Sequence, residues 1–280
     1  MFSGLNEADA RASIKALSST IARENEIEAD PDPLITTTTE QTADAVRTGL
    51  IDAISLTMEE YRVLRTQVAF DRFLLSVFAG DPTETYLLLV HKQGPLQTLA
   101  DLKGRKLLVL SGARMSLALP WLDVELLKNS LPASSDLAGV LAEAAKAPRA
   151  ILPVFFRQAD ACLVARRAYN TVIELNPQIG RDLRVLASSP PYIPGMFAFR
   201  ASCSSKLKEK SIRVFTQLHQ TLYGQQSLLI FQSSQVQEFP ASAFANALSL
   251  LDEYAQRCPE KSKSASLVSE RPTTPATPAP

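Results

Sequence analysis

The stretch that most constrains the fold is residues 150–177, AILPVFFRQADACLVARRAYNTVIELNP. An apolar run over 150–155 is broken by Gln158-Ala159-Asp160, a second apolar run fills 161–165, and a mixed segment ends in Asn-Pro. This pattern reads as a buried strand entered through a tight turn and followed by a helix. On that reading Asp160 stands where the strand meets the mouth of a cleft.

The rest of the chain repeats the alternation. Residues 6–23 carry an N-cap, acidic first-turn residues and apolar positions at helical spacing, which predicts an amphipathic surface helix. The β-branched run LITTTT over 34–39 reads as a strand, 40–49 as a helix closed by Gly49, and 51–56 as another strand. Thr57 then caps a helix running through Tyr61 and Leu64. Helix, strand, helix, strand, helix over the first eighty residues predicts a parallel, right-handed βαβ arrangement.

Further strands are expected at 85–91 and 106–110, separated by a short helix over 99–104 that a glycine stops. The loop Ser111-Gly112-Ala113-Arg114-Met115-Ser116 follows, and then an apolar helix containing Trp121. A strand leading through a small polar loop into a helix start is a candidate anion cradle. It is equally a plain strand-to-helix connection, since neither a Walker sequence nor GxGxxG is present. Residues 137–147 read as a helix and 183–186 as a strand. The proline-rich segment 188–195 reads as a crossing between lobes, and MFAFR after it as a strand. Helices are expected over 204–220, 225–231 and 241–254. Beyond Pro259 the Ser/Thr/Pro/Lys composition predicts a disordered tail.

Lys plus Arg equals Asp plus Glu at 29 each, so no global field draws the chain to nucleic acid or an anionic membrane. An anion would have to be held by local groups: backbone N–H, hydroxyls or an arginine. Three cysteines without a CxxC pair and two histidines argue against a structural zinc site. Cys162 reads as a small buried hydrophobe, and a Cys203–Cys258 bridge is left open. No apolar stretch is long enough to span a membrane, and the N-terminus lacks the basic and apolar regions of a signal peptide. Neither a Ser/His/Asp nor a Cys/His set is legible, so the reading is non-enzymatic and without a cofactor.

Several phrases together carry a resemblance: GLIDA at 49–53, YLLLV at 86–90, LADLKGRKL at 99–107, the Trp121-Leu122 helix, VFFRQADA at 154–161 and SSP at 188–190. Over about residues 5–255 the chain resembles the substrate-binding proteins of phosphate/phosphite/phosphonate ABC transporters, a branch of the type 2 periplasmic binding proteins. The resemblance implies an α/β fold of two lobes, each a mixed sheet flanked by helices. Residues 1–91 and 194–258 would form lobe one, 92–193 lobe two, and 259–280 the tail. It also implies a leader and a first strand ahead of the opening helix, with 2–4 as the remnant of the loop after that strand.

By the same resemblance a small anionic ligand is trapped between the lobes by hinge closure and delivered to a membrane permease. The protein would be monomeric and periplasmic, or lipid-anchored at the cell envelope. Thr57 and Tyr61 would supply a hydroxyl and a tyrosine, and Ser111, Arg114 and Ser116 the oxyanion cradle, with Arg114 and Ser116 facing the cleft. Asp160 would accept from a polar group of the ligand, and Tyr192 would line the hinge. Arg114 stands out because a guanidinium beside a helix start suits bidentate contact with an oxyanion. The alternatives are a sensing module acting on a signalling partner, a site for a non-phosphorus molecule, and an enzyme of the same fold relying on Asp160 and Arg114.

Overall fold

The computed structural model describes residues 38–230 and 233–259, together with Lys15, Ser19, Ala22, Asp30 and 32–36. Most of the opening helix expected over 6–23, and the tail after Pro259, lie outside the described residues, as do residues 2–4.

In chain order the elements are α1 (Thr39–Arg47), β1 (Ala53–Thr57), α2 (Met58–Leu64), β2 (Phe70–Val77), β3 (Tyr86–His91) and β4 (Lys106–Leu110). Then come α3 (Ala118–Lys128), α4 (Ser134–Leu137), β5 (Val140–Ala144), α5 (Ala147–Phe155), β6 (Ala161–Ala165), α6 (Arg166–Leu175), α7 (Pro177–Asp182) and β7 (Leu183–Ser188). The last are β8 (Gly195–Arg200), α8 (Ser205–Gln217), α9 (Leu222–Ile230), β9 (Gln235–Phe239) and α10 (Ala245–Arg257). Single 3₁₀ turns sit at Leu99–Leu102 and Ala113–Met115, on either side of β4.

Two sheets result. The first has the order β1-β8-β2-β9 and the second β5-β4-β6-β3-β7. In the first sheet every neighbouring pair is antiparallel. β1 and β2 therefore share a direction with β8 between them, and the parallel pairing of 34–39 with 51–56 that the sequence suggested does not form, because 34–36 are not a strand. In the second sheet β4 runs parallel to β5 and β6, while β3 is antiparallel to β6 and β7. β3, which the sequence reading left in lobe one, thus pairs inside the second sheet.

β3 and β6 show why that sheet is a core. Alternate side chains point to opposite faces of a strand. Tyr86, Leu88 and Val90, with Ala161, Leu163 and Ala165, enter one apolar cluster. Leu87 and Leu89, with Cys162 and Val164, enter another on the opposite face. Each fully buried leucine or valine is worth about 1.5–3 kcal/mol. The larger cluster continues through Trp121 into Leu56, Phe73 and Phe244, joining both sheets.

Two crossings connect the sheets, 78–85 and 189–194. They run side by side, because Glu84 N–H donates to the Tyr192 carbonyl (2.7 Å) and Tyr192 N–H to that of Glu84 (2.8 Å). The second crossing leads into Gly195, where a Cβ would come within 2.6 Å of the Leu56 carbonyl oxygen. Glycine lets β8 start hard against β1, opposite Thr57. The first crossing opens with a two-residue turn, Ala79 (φ 50°) and Gly80 (φ 85°), bridging Phe78 and Asp81. Positive φ at both central residues is the turn that matches strand twist, and alanine is an uncommon occupant of its first position.

Several expectations fail for local reasons. Residues 34–36 form no strand; Thr38 instead caps α1, accepting from Gln41 N–H. Strand β2 escaped notice because a bulge between Asp71 and Phe73, with Arg72 at φ 49°, breaks its alternation. The expected helix over 137–147 is the short α4 followed by β5, whose helix-favouring Val-Leu-Ala-Glu-Ala is held as an edge strand by β4. β9 is a second edge strand that was missed. All three cysteines are buried and none is in a disulfide, so no Cys203–Cys258 bridge forms.

Candidate functional site

The directions of the strands in the second sheet decide which loops meet. β4 and β6 end, and antiparallel β3 begins, at one edge: Tyr86 lies opposite Ala165, and Leu87 opposite Ser188. That carboxyl edge therefore gathers 84–86, the loop 111–116, Arg166-Arg167 and Ser188-Ser189 beside the two crossings. Such an edge is where α/β sheets hold ligands.

Three charged side chains converge there. Glu84, only 3% exposed in its side chain, accepts from Arg114 Nε at 2.6 Å, and Arg167 Nη2 lies 3.6 Å from the same Oε1. Arg167 Nη2 also donates to the Thr83 carbonyl (3.3 Å), and its guanidinium lies over the Phe78 ring at 4.6 Å. The backbone beside each arginine is anchored as well: the Arg114 carbonyl accepts from the Tyr86 hydroxyl (3.0 Å), and Arg166, the residue before Arg167, donates its N–H to Thr85 O (2.8 Å). Two guanidiniums thus share the one carboxylate they contact, with Asp81 acting on Arg167 as well. Burial holds Arg167 below its ordinary pKa, as does the charge of Arg114, while Glu84 pulls the other way. Burial pushes the Tyr86 hydroxyl far up, keeping it a neutral donor.

Among the described residues four buried side-chain N or O atoms lack a hydrogen-bond partner, and two of them are Arg114 Nη2 and Arg167 Nη1. A buried donor left unmade costs about 1–3 kcal/mol.

The sequence-predicted residues are distributed unevenly around this edge. Ser111 follows β4, its N–H donating to Ala144 O at 3.0 Å, and Ser116 Oγ donates to Pro194 O at 3.3 Å. That same carbonyl accepts from Met58 N–H (2.9 Å), so Ser116 and the start of α2 meet at the second crossing. Thr57 ends β1 and closes a capping box with Glu60, its hydroxyl 2.9 Å from Glu60 Oε2. Tyr61 packs edge-on against Phe73 and Phe244 in the core, and burial raises its pKa. Tyr192 is on the crossing but buried, its pKa raised by burial and then by Glu125 and Glu253 on α3 and α10.

Asp160 is not brought to this edge at all. It precedes β6 and accepts from Lys106 N–H (2.8 Å) where β4 begins, with Arg105 at 3.8 Å. Because β4 and β6 are parallel, this is the opposite, amino edge of the sheet. The acidic residue that does stand among the predicted arginine and serines is Glu84. Sequence reasoning missed it and Arg167, although a doubled arginine directly after the apolar ACLVA was a usable signal.

A second carboxyl lies close by. Glu59, in the first turn of α2, is pushed up to about 7 by burial and then by Glu60, and its charge is felt by Tyr86 and Tyr254. No group of three or more His, Cys, Asp or Glu side chains among the described residues is arranged to hold a metal ion. No helix among them is long and apolar enough to cross a membrane.

Comparison with known proteins agrees with this architecture. No curated protein matches the chain. A Xanthomonas citri protein solved with bound chloride superposes with a TM-score of 0.64 at 16% identity, covering 93% of this chain and 96% of its own. The binding component of an ABC phosphonate transporter from Pseudomonas aeruginosa gives 0.62 at 14%, covering 94% and 90%. PhnD1 of Prochlorococcus marinus, solved with methylphosphonate, gives 0.62 at 15%, covering 91% and 95%. At these identities the likeness shows the two-lobed periplasmic-binding-protein fold. The family itself is shown by sequence, because residues 1–244 match the family described as "ABC transporter, phosphonate, periplasmic substrate-binding protein". The chain belongs to the family of periplasmic substrate-binding proteins of phosphonate ABC transporters.

Proposed function

We propose that this protein captures a small phosphorus-containing oxyanion (phosphate, phosphite or a phosphonate) at the carboxyl edge of the five-stranded sheet and delivers it to an ABC permease from the periplasm. The observation that carries this reading is Arg114, held by a buried carboxylate at the end of β4 with a guanidinium nitrogen still unspent. An arginine fork is suited to a phosphorus oxyanion because its N–H groups match adjacent oxygens. Family membership and the methylphosphonate bound by PhnD1 support the choice of ligand class.

Of the residues first considered, we retain Thr57, Ser111, Arg114 and Ser116 as ligand-facing groups around that edge. Tyr61 and Tyr192 are assigned to packing and Asp160 to a structural cap. The two crossings form the hinge, and closure about them would enclose the ligand.

A thermal-shift panel of phosphate, phosphite, methylphosphonate, sulfate and acetate tests the reading. A ligand at a hundred times its dissociation constant adds about 2.7 kcal/mol, so one phosphorus oxyanion should raise the melting temperature clearly. A response to acetate or sulfate alone would overturn the ligand class.

A further inference from the structure

We propose that Arg114 and Arg167 form one anion clamp around Glu84, and that this clamp selects oxyanions carrying no ammonium group. The proposal rests on the ligand reading above and adds a second arginine and a preference to it.

Arg167 comes from outside the loop 111–116: it lies in the first turn of α6, directly after β6, and reaches the same carboxylate oxygen. Glu84 fixes both guanidiniums through one oxygen, at 2.6 Å from Arg114 Nε and 3.6 Å from Arg167 Nη2. The nitrogens left over, Arg114 Nη2 and Arg167 Nη1, are both buried and partnerless among the described residues. Both heads are held: Arg114 by its Nε bond to Glu84, and Arg167 by the Phe78 ring and the Thr83 carbonyl. Glu84 is the one carboxylate in contact with both guanidiniums, Asp81 acts on Arg167 without bonding its guanidinium, and the unspent N–H groups can take a further anion. Donors approaching from two segments of the chain match two oxygens of a tetrahedral group, and each would complete a charge-assisted hydrogen bond.

The preference follows from what Glu84 is already doing. An ammonium group entering here would need a carboxylate, and the one at the centre is shared by two guanidiniums that would repel it. Asp81, the next carboxylate along the crossing, takes Thr83 N–H (2.8 Å) and Thr83 Oγ1 (2.6 Å) on one oxygen and already acts on Arg167, while burial favours the neutral, protonated form of Glu59, the other carboxyl near by. Methylphosphonate and phosphate therefore fit the charge pattern, and 2-aminoethylphosphonate gains nothing from its amine.

The test is calorimetric titration of the full chain with inorganic phosphate, methylphosphonate, 2-aminoethylphosphonate and sulfate. It compares wild type, Arg167→Gln, Arg167→Lys and, from the opposite edge, Asp160→Asn. Losing one charge-assisted bond predicts a methylphosphonate dissociation constant about 10- to 100-fold higher in Arg167→Gln. Arg167→Lys, which keeps the charge and guards against misfolding, should also lose about tenfold, since an ammonium cannot serve Glu84 and the oxyanion together. Asp160→Asn should bind as wild type does, and 2-aminoethylphosphonate should bind no tighter than methylphosphonate.

Wild-type binding of a phosphorus oxyanion with unchanged affinity in both Arg167 variants overturns the clamp and leaves the ligand reading standing. Sulfate binding that Arg167→Gln abolishes, with no phosphorus ligand bound, sinks the ligand reading and supports the clamp. A tenfold tighter fit for 2-aminoethylphosphonate overturns the preference, and no binding by wild type to any of the four overturns both.

Discussion

The two ends of the five-stranded sheet carry the same chemistry in different settings. At the amino edge Asp160 meets Arg105 and the Lys106 N–H; at the carboxyl edge Glu84 meets Arg114 and Arg167. The Asp160 side chain is 31% exposed and Arg105 43%, so water finishes whatever the pair leaves undone. Glu84 is 3% exposed and its arginines 24% and 26%, and here two guanidinium nitrogens are left with neither protein partner nor solvent. The difference between the edges is burial: at the amino edge solvent can complete the pair, and at the carboxyl edge donors are left over.

The largest predicted difference between the edges is in stability. Removing one partner of a buried ion pair costs about 3–5 kcal/mol, and the partly exposed arginines here reduce that to about 2–4 for Glu84→Gln. Asp160→Asn keeps an acceptor for Lys106 N–H and should cost about 0–1 kcal/mol. Urea denaturation of the two variants beside wild type measures both, and equal costs would erase the distinction between the edges.

Next in size is the pH dependence that Glu59 brings to the carboxyl-edge side. Its folded pKa of about 7 lies above the ordinary 4.5, so the folded protein holds this proton more tightly than the unfolded chain. Stability from it is full below about pH 4.5 and is lost as pH rises through about 7. With partial solvent screening, the loss should be about 1–3 kcal/mol. Comparing denaturation midpoints of wild type and Glu59→Gln at pH 5 and pH 8 isolates it. The variant should flatten this part of the pH profile and be the more stable protein at pH 8; parallel profiles would mean that Glu59 titrates normally.

The smallest effect concerns the turn that leads into Glu84. Ala79 holds φ 50°, a region asparagine tolerates better than alanine. Ala79→Asn should raise stability by about 0.5 kcal/mol, measured by thermal denaturation, whereas a loss of that size would show that the turn is not strained at Ala79.

Much of the fold was legible because its signals are local. The apolar runs LLVL and ACLVA became β4 and β6, and the Thr57 cap stands where its hydroxyl and Glu60 predict. What was lost depends on neighbours: β5 and β9 are edge strands made by pairing, and β2 hides its period behind a bulge. The site followed the same rule. Arg114 and the serines, which the proposed site keeps, stand together in the sequence because loop and strand are contiguous. Asp160 misled because sequence does not say at which end of a parallel sheet a residue stands. Glu84 and Arg167 were invisible as a pair because 83 positions separate them and only the β3–β6 pairing brings them together.

The most direct measurement is a crystal structure of the full chain with methylphosphonate. Phosphonate oxygens are expected within about 3 Å of both Arg114 Nη2 and Arg167 Nη1, beside Glu84. A phosphonate seated at the Asp160–Arg105 edge, or one touching neither arginine, would contradict that placement.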